Sequence, residues 1–157
     1  MFNKKISGNQ AIGQEIILLA NRLDWIHRNQ GVTHFLLGSL DEDLSYLCQH
    51  LKNKLIKISD CDVELHCVDH ETDCVPMISE NKITLIYCNQ ISENPHLYNS
   101  LHLTEMGFLF VKSSGTNRGK LQQVLKFMDE IKTSIEGFIF YNHKSYVPKW
   151  FNRVLGR

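Results

Sequence analysis

The chain has 157 residues, 43% of them hydrophobic and 22% charged, enough to bury a core as one domain over 1–157 and unlike the composition of disordered chains. Lysine plus arginine equals aspartate plus glutamate at 17 each, so no net field gathers nucleic acid or anionic lipid, and nucleic acid is excluded as an expected partner. No apolar run reaches the ~18 residues of a membrane helix, Met1-Phe2-Asn3-Lys4-Lys5 leads into no signal-peptide core, and five irregularly spaced cysteines make no disulfide framework. A cytoplasmic protein with reduced thiols is expected.

From Gln10 to Arg28, Ile12, Ile16, Leu19, Leu23 and Ile26 recur at helical spacing with charges opposite, which predicts an amphipathic helix. Asn29-Gln30-Gly31 supplies a stop, and Val32 to Leu37 is a buried strand ending at Gly38. Ser39 is then expected to N-cap a helix carrying Leu40, Leu44, Leu47, Leu51 and Leu55, with Asp41, Glu42 and Asp43 in a first turn where carboxylates suit the helix dipole. Val63 to Val68 reads as a second strand and Asp69 to Glu80, with Pro76, as loop. Ile83 to Tyr87 is a sharply bounded strand. Gln90 to Asn99 is turn-rich, Leu101 to Met106 is a short helix, and Gly107 to Val111 is a strand. Leu121, Val124, Leu125, Met128 and Ile131 mark a further helix after the polar loop Ser113 to Asn117, and Gly137 to Tyr141 is the last strand. Strands alternating with helices predict an α/β fold in three layers, a mostly parallel sheet with helices on both faces.

The order of these elements resembles the cytoplasmic domain of the bacterial tyrosine autokinases of capsule and exopolysaccharide export, within the P-loop group that includes the MinD/ParA-type ATPases. The residues that carry the resemblance are Gly107 to Thr116 (GFLFVKSSGT), the basic pair Arg118 and Lys120, the helix Leu121 to Ile131, and Gly137 to Asn142 (GFIFYN), which follow that family's closing strand-helix-strand unit. Upstream, the helix Gln10 to Arg28 and the strand Thr33 to Gly38 are similar to its lead-in helix and first strand, so that about two thirds of the chain is covered.

The departures bear on function. In that family the turn after the first strand is a Walker A loop, whose glycines let backbone N–H groups cradle phosphate while a lysine neutralises it. Here the matching turn is Gly38-Ser39-Leu40-Asp41-Glu42-Asp43-Leu44-Ser45, with no lysine and no interior glycine. Its carboxylates have the chemistry to hold Mg²⁺, but a metal does not replace the cradle. The second acidic motif has only Val68-Asp69-His70-Glu71 as a counterpart, and the third ends in Tyr87-Cys88 where the family has aspartate. Glu15 lacks the arginines that follow it in the family, with Leu18 and Asn21 in their places, which puts the family's ring-forming contact in doubt. The resemblance therefore implies a reduced P-loop-like, pseudokinase-like protein without nucleotide, cofactor or catalytic residue. It would act as a regulatory or scaffolding subunit on a protein partner, with a membrane component of polysaccharide synthesis or export as the expected class, at the inner face of the membrane through that partner. Self-assembly stays open.

Other constellations compete with this reading. Cys61, His66, Cys67, His70 and Cys74 are zinc-ligand types, but on a strand His66 and Cys67 point to opposite faces, and buried cysteine with exposed histidine is the plainer account. Together with Cys88 at a strand end, they define the alternative function, a small thiol- or metal-dependent enzyme. Ser113 to Asn117 with Lys112, Arg118 and Lys120 is either an anion nest or a solvated loop. Tyr141, Tyr146, Trp150 and Phe151, in a C-terminal segment mixing aromatic with basic residues, are the candidate partner contacts, against simple packing on the domain. Tyr141 and Tyr146 are also loose counterparts of the tyrosines phosphorylated in the resembling family.

Overall fold

The computed structural model describes residues 2–68, 81–93, 104–112 and 118–141, with side chains from residue 13 onward and Ser92 by its backbone alone. Three helices, α1 (Phe2–Gln30), α2 (Ser45–Ile58) and α3 (Arg118–Glu130), accompany five strands: β1 (His34–Ser39), β2 (Asp62–Val68), β3 (Lys82–Cys88), β4 (Met106–Lys112) and β5 (Ser134–Tyr141). A 3₁₀ turn, Ile91–Glu93, follows β3.

The sheet has the order β2-β3-β1-β4-β5, and every pairing is parallel. β1 is buried along its whole length, as a central strand covered on both faces must be, which is why its sequence is a continuous apolar run. Alternation along the strand then divides the core. Phe35 and Leu37 face α1 and α2, packing with Leu23, Ile26, Leu47, Leu51, Leu85 and Phe110. Leu36 faces the other way, toward Ile86, Leu109 and the Val124, Phe127 and Met128 side of α3. The three-layer α/β architecture expected from the sequence is the one observed.

Apart from the short helix Leu101 to Met106, the expected helices and strands are found with shifted ends, and four differences are informative. α1 begins at Phe2 rather than near Gln10, since a nucleated helix propagates on its own backbone hydrogen bonds without needing a core contact in each turn. α2 begins at Ser45, five residues later than expected, and Ser39 is the last residue of β1 instead of an N-cap. Leu40, read as a helical core position, lies on the α3 side of the sheet, whereas Leu44 lies on the α2 side, so the chain crosses over the carboxyl end of β1 between them. Of the expected helix Leu101 to Met106, Thr104 and Glu105 are irregular and Met106 opens β4; residues 101–103 lie outside the described set. Leu125 on α3 is 38% exposed, and Phe127 takes a core place instead. No helix among the described residues is long and apolar enough to cross a membrane.

Candidate functional site

β1 continues into α2 on one face of the sheet, while its neighbour β3 continues through Ile91, packed on the opposite face. Adjacent parallel strands that leave to opposite faces open a crevice beyond their carboxyl ends, the usual ligand position in such sheets. The rim of this crevice is formed by Ser39 to Ser45 after β1, by Asn89 to Glu93 after β3, and by the start of α3.

The floor is a closed hydrogen-bond network. Ser39 Oγ donates to Asn89 Oδ1 (3.0 Å) and accepts from Tyr87 Oη (3.0 Å) and the Gln90 backbone N–H (3.2 Å), which uses the full capacity of a hydroxyl. Tyr87 Oη accepts the Leu44 backbone N–H (2.7 Å), and its single proton lies between Ser39 Oγ and Asp43 Oδ1, the latter at 3.3 Å. Asp43 Oδ1 also accepts the Ser45 backbone N–H (3.0 Å). Two of the amides at the entrance of α2, those of Leu44 and Ser45, are thus bound within the protein. Gln90 Nε2 donates to the Asp41 carbonyl (3.4 Å) and ties the two loops together.

Asp41, Glu42 and Asp43 therefore sit in the loop ahead of α2 and not in its first turn; this corrects the expectation of a charged first turn capped by Ser39. The chain uses the five residues Leu40 to Leu44 to cross from the α3 side to the α2 side, and Tyr87 and Asp43 supply the partners that a capping Ser39 would have offered. Lys120 Nζ, one of the cations weighed for an anion nest, stands 4.0 Å from Asp41 Oδ1 and 3.6 Å from Glu93 Oε1 and so faces carboxylates. Ser113 to Asn117 lie outside the described residues.

Tyr141 at the end of β5 is 3% exposed and belongs to the core beneath α1 and α2, which corrects its expectation as a partner contact: alternation on β5 turns its ring inward beside Ile139. Burial, then the Glu42 carboxylate beside it, push its phenol above the ordinary value, with Asp41 adding to the effect. Tyr146, Trp150 and Phe151 lie outside the described residues, as do His70 and Cys74.

The remaining Cys/His residues are dispersed. Cys61 Sγ pairs with Ser59 Oγ at 2.7 Å, while His66 Nε2 faces Glu64 Oε2 at 3.0 Å on the other side of the chain from exposed Cys67. Cys88 is buried, with its thiol 3.8 Å from the Asn89 carbonyl. Burial pushes the Cys48 thiol well above its ordinary value, and neighbouring Cys67 and Asp43 add to it, the opposite of activation. Among the described residues no group of three or more His, Cys, Asp or Glu side chains is placed to hold a metal ion, the acidic turn included.

Three buried acids titrating above their ordinary values, Cys48, Tyr87 and Tyr141, set an expected alkaline profile. Each stays protonated when folded but ionises when unfolded, near 9.0 for the thiol and 10.0 for the phenols, so the unfolded state loses protons first as pH rises. Their contribution is complete below about pH 8 and falls above about pH 9, by up to about 1.4 kcal/mol per pH unit per group. Urea titrations at pH 7.5, 9 and 10.5 check this; equal midpoints at all three would contradict it.

The sequence pointed to Tyr87 only as a replaced aspartate and did not point to its part in closing the turn, nor to Asn89, Gln90 and Glu93. One signal was present: a tyrosine inside an otherwise apolar buried strand must find a partner for its hydroxyl. Comparison with protein-family models, with curated proteins and with solved structures found no match to the chain.

Proposed function

We propose that the chain is a non-catalytic regulatory or scaffolding subunit of polysaccharide (capsule or exopolysaccharide) synthesis and export, acting by protein–protein contact without binding nucleotide. The observation that carries the nucleotide-free part is the state of the β1 to α2 turn. Its Leu44 and Ser45 amides are held by Tyr87 Oη and Asp43 Oδ1, and Asp41, Glu42 and Asp43 crowd the same bend. A phosphate there would break internal hydrogen bonds and meet like charge, at roughly 1 to 4 kcal/mol per contact at ~4 Å. Tyr87 stands at the end of the strand that closes in aspartate in the resembling autokinases, and here its hydroxyl serves closure of the loop.

The pathway rests on the resemblance of the element order to those autokinases. For the partner contact, α1 offers an outward stripe: Leu18 is 63% and Trp25 49% exposed, seven residues apart on one side of the helix, with Ile17 beside them and Arg22 over the Trp25 ring at 5.3 Å. Exposed aromatics beside arginine are the residue types on which binding energy concentrates.

Titration calorimetry with ATP·Mg²⁺ is expected to give no binding heat up to about millimolar nucleotide, the range where ~4 kcal/mol of affinity would register. A micromolar Kd would end the nucleotide-free reading. Removing the protein from its native cell is expected to change the amount or length of surface polysaccharide, and unchanged polymer would remove the pathway assignment.

A further inference from the structure

The two rims of the sheet are built differently. On β2, Asp62, Glu64 and His66 line the outer strand, and Glu64 is paired with both Lys82 and His66, a charged guard against addition of another strand. On β5, the register shift opposite Gly107 and Phe108 directs Glu136 to Arg22 of α1 at 4.0 Å, so that charge is drawn toward the α1 side. Beyond the shift, Phe138 and Phe140 pair with Leu109 and Val111 on the α3 face and are 42% and 53% exposed. α3 leaves them uncovered because it lies inboard, where Lys120 reaches Asp41 and Glu93 on the β1 and β3 side.

The flank of α3 that remains has a pattern of its own. Arg118, Gln122, Leu125 and Asp129 are all exposed and, at spacings of four, three and four residues, form one stripe about half a turn from Lys120, which turns it toward β5. A positive charge at the start of a helix and a negative one at its end oppose the helix's own dipole, so this order does not serve the isolated helix. It is complementary to itself when a second α3 runs antiparallel, with the leucines near the middle.

We propose that this rim binds the same rim of a second copy: β5 pairs antiparallel with β5 across a two-fold axis, extending the sheet, and Arg118 of each copy faces Asp129 of the other. An axis perpendicular to the sheet keeps both α3 helices on one face and makes them antiparallel, so one operation joins the β5 edges, outermost among the described strands, gathers the four phenylalanine rings and matches the charges. No residue of the nucleotide-free turn takes part, so the pairing stands apart from the proposed function.

The test is sedimentation of the full chain from about 1 to 300 µM. A dimer is expected, with Phe138→Asp/Phe140→Asp raising its Kd about thirtyfold or more while the circular dichroism is retained. Arg118→Asp is expected to weaken the dimer, and Arg118→Asp/Asp129→Arg to restore it. A monomer throughout would overturn the proposal and leave the rim to a different partner. So would a dimer indifferent to the phenylalanine changes, or failure of the charge exchange to restore it.

Discussion

Tyr87→Ala is expected to lower the stability of the domain by about 3–5 kcal/mol, and Tyr87→Phe by about 1–3 kcal/mol. The difference separates two contributions of one side chain. The ring is 2% exposed and packs in the core beneath α1 and α2, so its removal leaves a cavity there. The hydroxyl accepts the Leu44 amide at 2.7 Å and meets Ser39 Oγ at 3.0 Å; in the phenylalanine variant that amide, on a residue 1% exposed, has lost its partner. Urea denaturation measures both values, and hydrogen exchange at the Leu44 amide isolates the second, since its protection should fall in Tyr87→Phe while that of the β1 amides stays near the wild-type level. A phenylalanine variant within about 0.5 kcal/mol of wild type would mean that the hydroxyl does not hold the turn closed.

Gly38→Val should destabilise by about 2–3 kcal/mol, a fall in Tm of roughly 4–12 °C for a chain of this size. Gly38 lies in the central strand between β3 and β4, and a Cβ there would meet Leu109 Cδ2 at 3.0 Å and Ile91 Cδ1 at 3.4 Å. Alanine asks only for a small shift of the leucine tip and should cost about 1 kcal/mol; valine adds branches that a packed neighbourhood cannot take up. Pairing Gly38→Val with Leu109→Ala should recover part of the loss, a coupling that calorimetry of the four proteins would read. Strictly additive effects would place the strain elsewhere. Ile91 anchors the loop that carries Asn89 and Gln90, so the tight glycine and the closed turn belong to one construction.

The apolar periodicities make the order of helices and strands legible, because a helix burying one stripe and a strand burying both faces leave different spacings in a single sequence. Ile16, Leu19, Leu23 and Ile26 on α1, and Leu47, Leu51 and Leu55 on α2, occupy the core their spacing implies. The acidic turn is also legible as a departure from a phosphate cradle. Its geometry is not, since Leu40 has helical spacing to Leu44 yet packs on the other side of the sheet, where Ile91 and Leu109 await it. Leu125 misleads similarly: it fits the apolar stripe of α3, yet it is exposed while Phe127 takes the core place.

By itself, then, the sequence determines most of the helices and strands, because that choice depends largely on neighbours a few residues away, whereas the loop Leu40 to Leu44 and the start of β4 at Met106 do not follow from it. The strand order β2-β3-β1-β4-β5 and the closure of the β1 to α2 turn are decided only in three dimensions. They depend on partners distant along the chain: Tyr87 against Ser39 and Leu44, and Gln90 against Ser39 and Asp41. Hydrogen bonds between such partners form only when packing has already brought β1 and β3 together, and no local pattern records them.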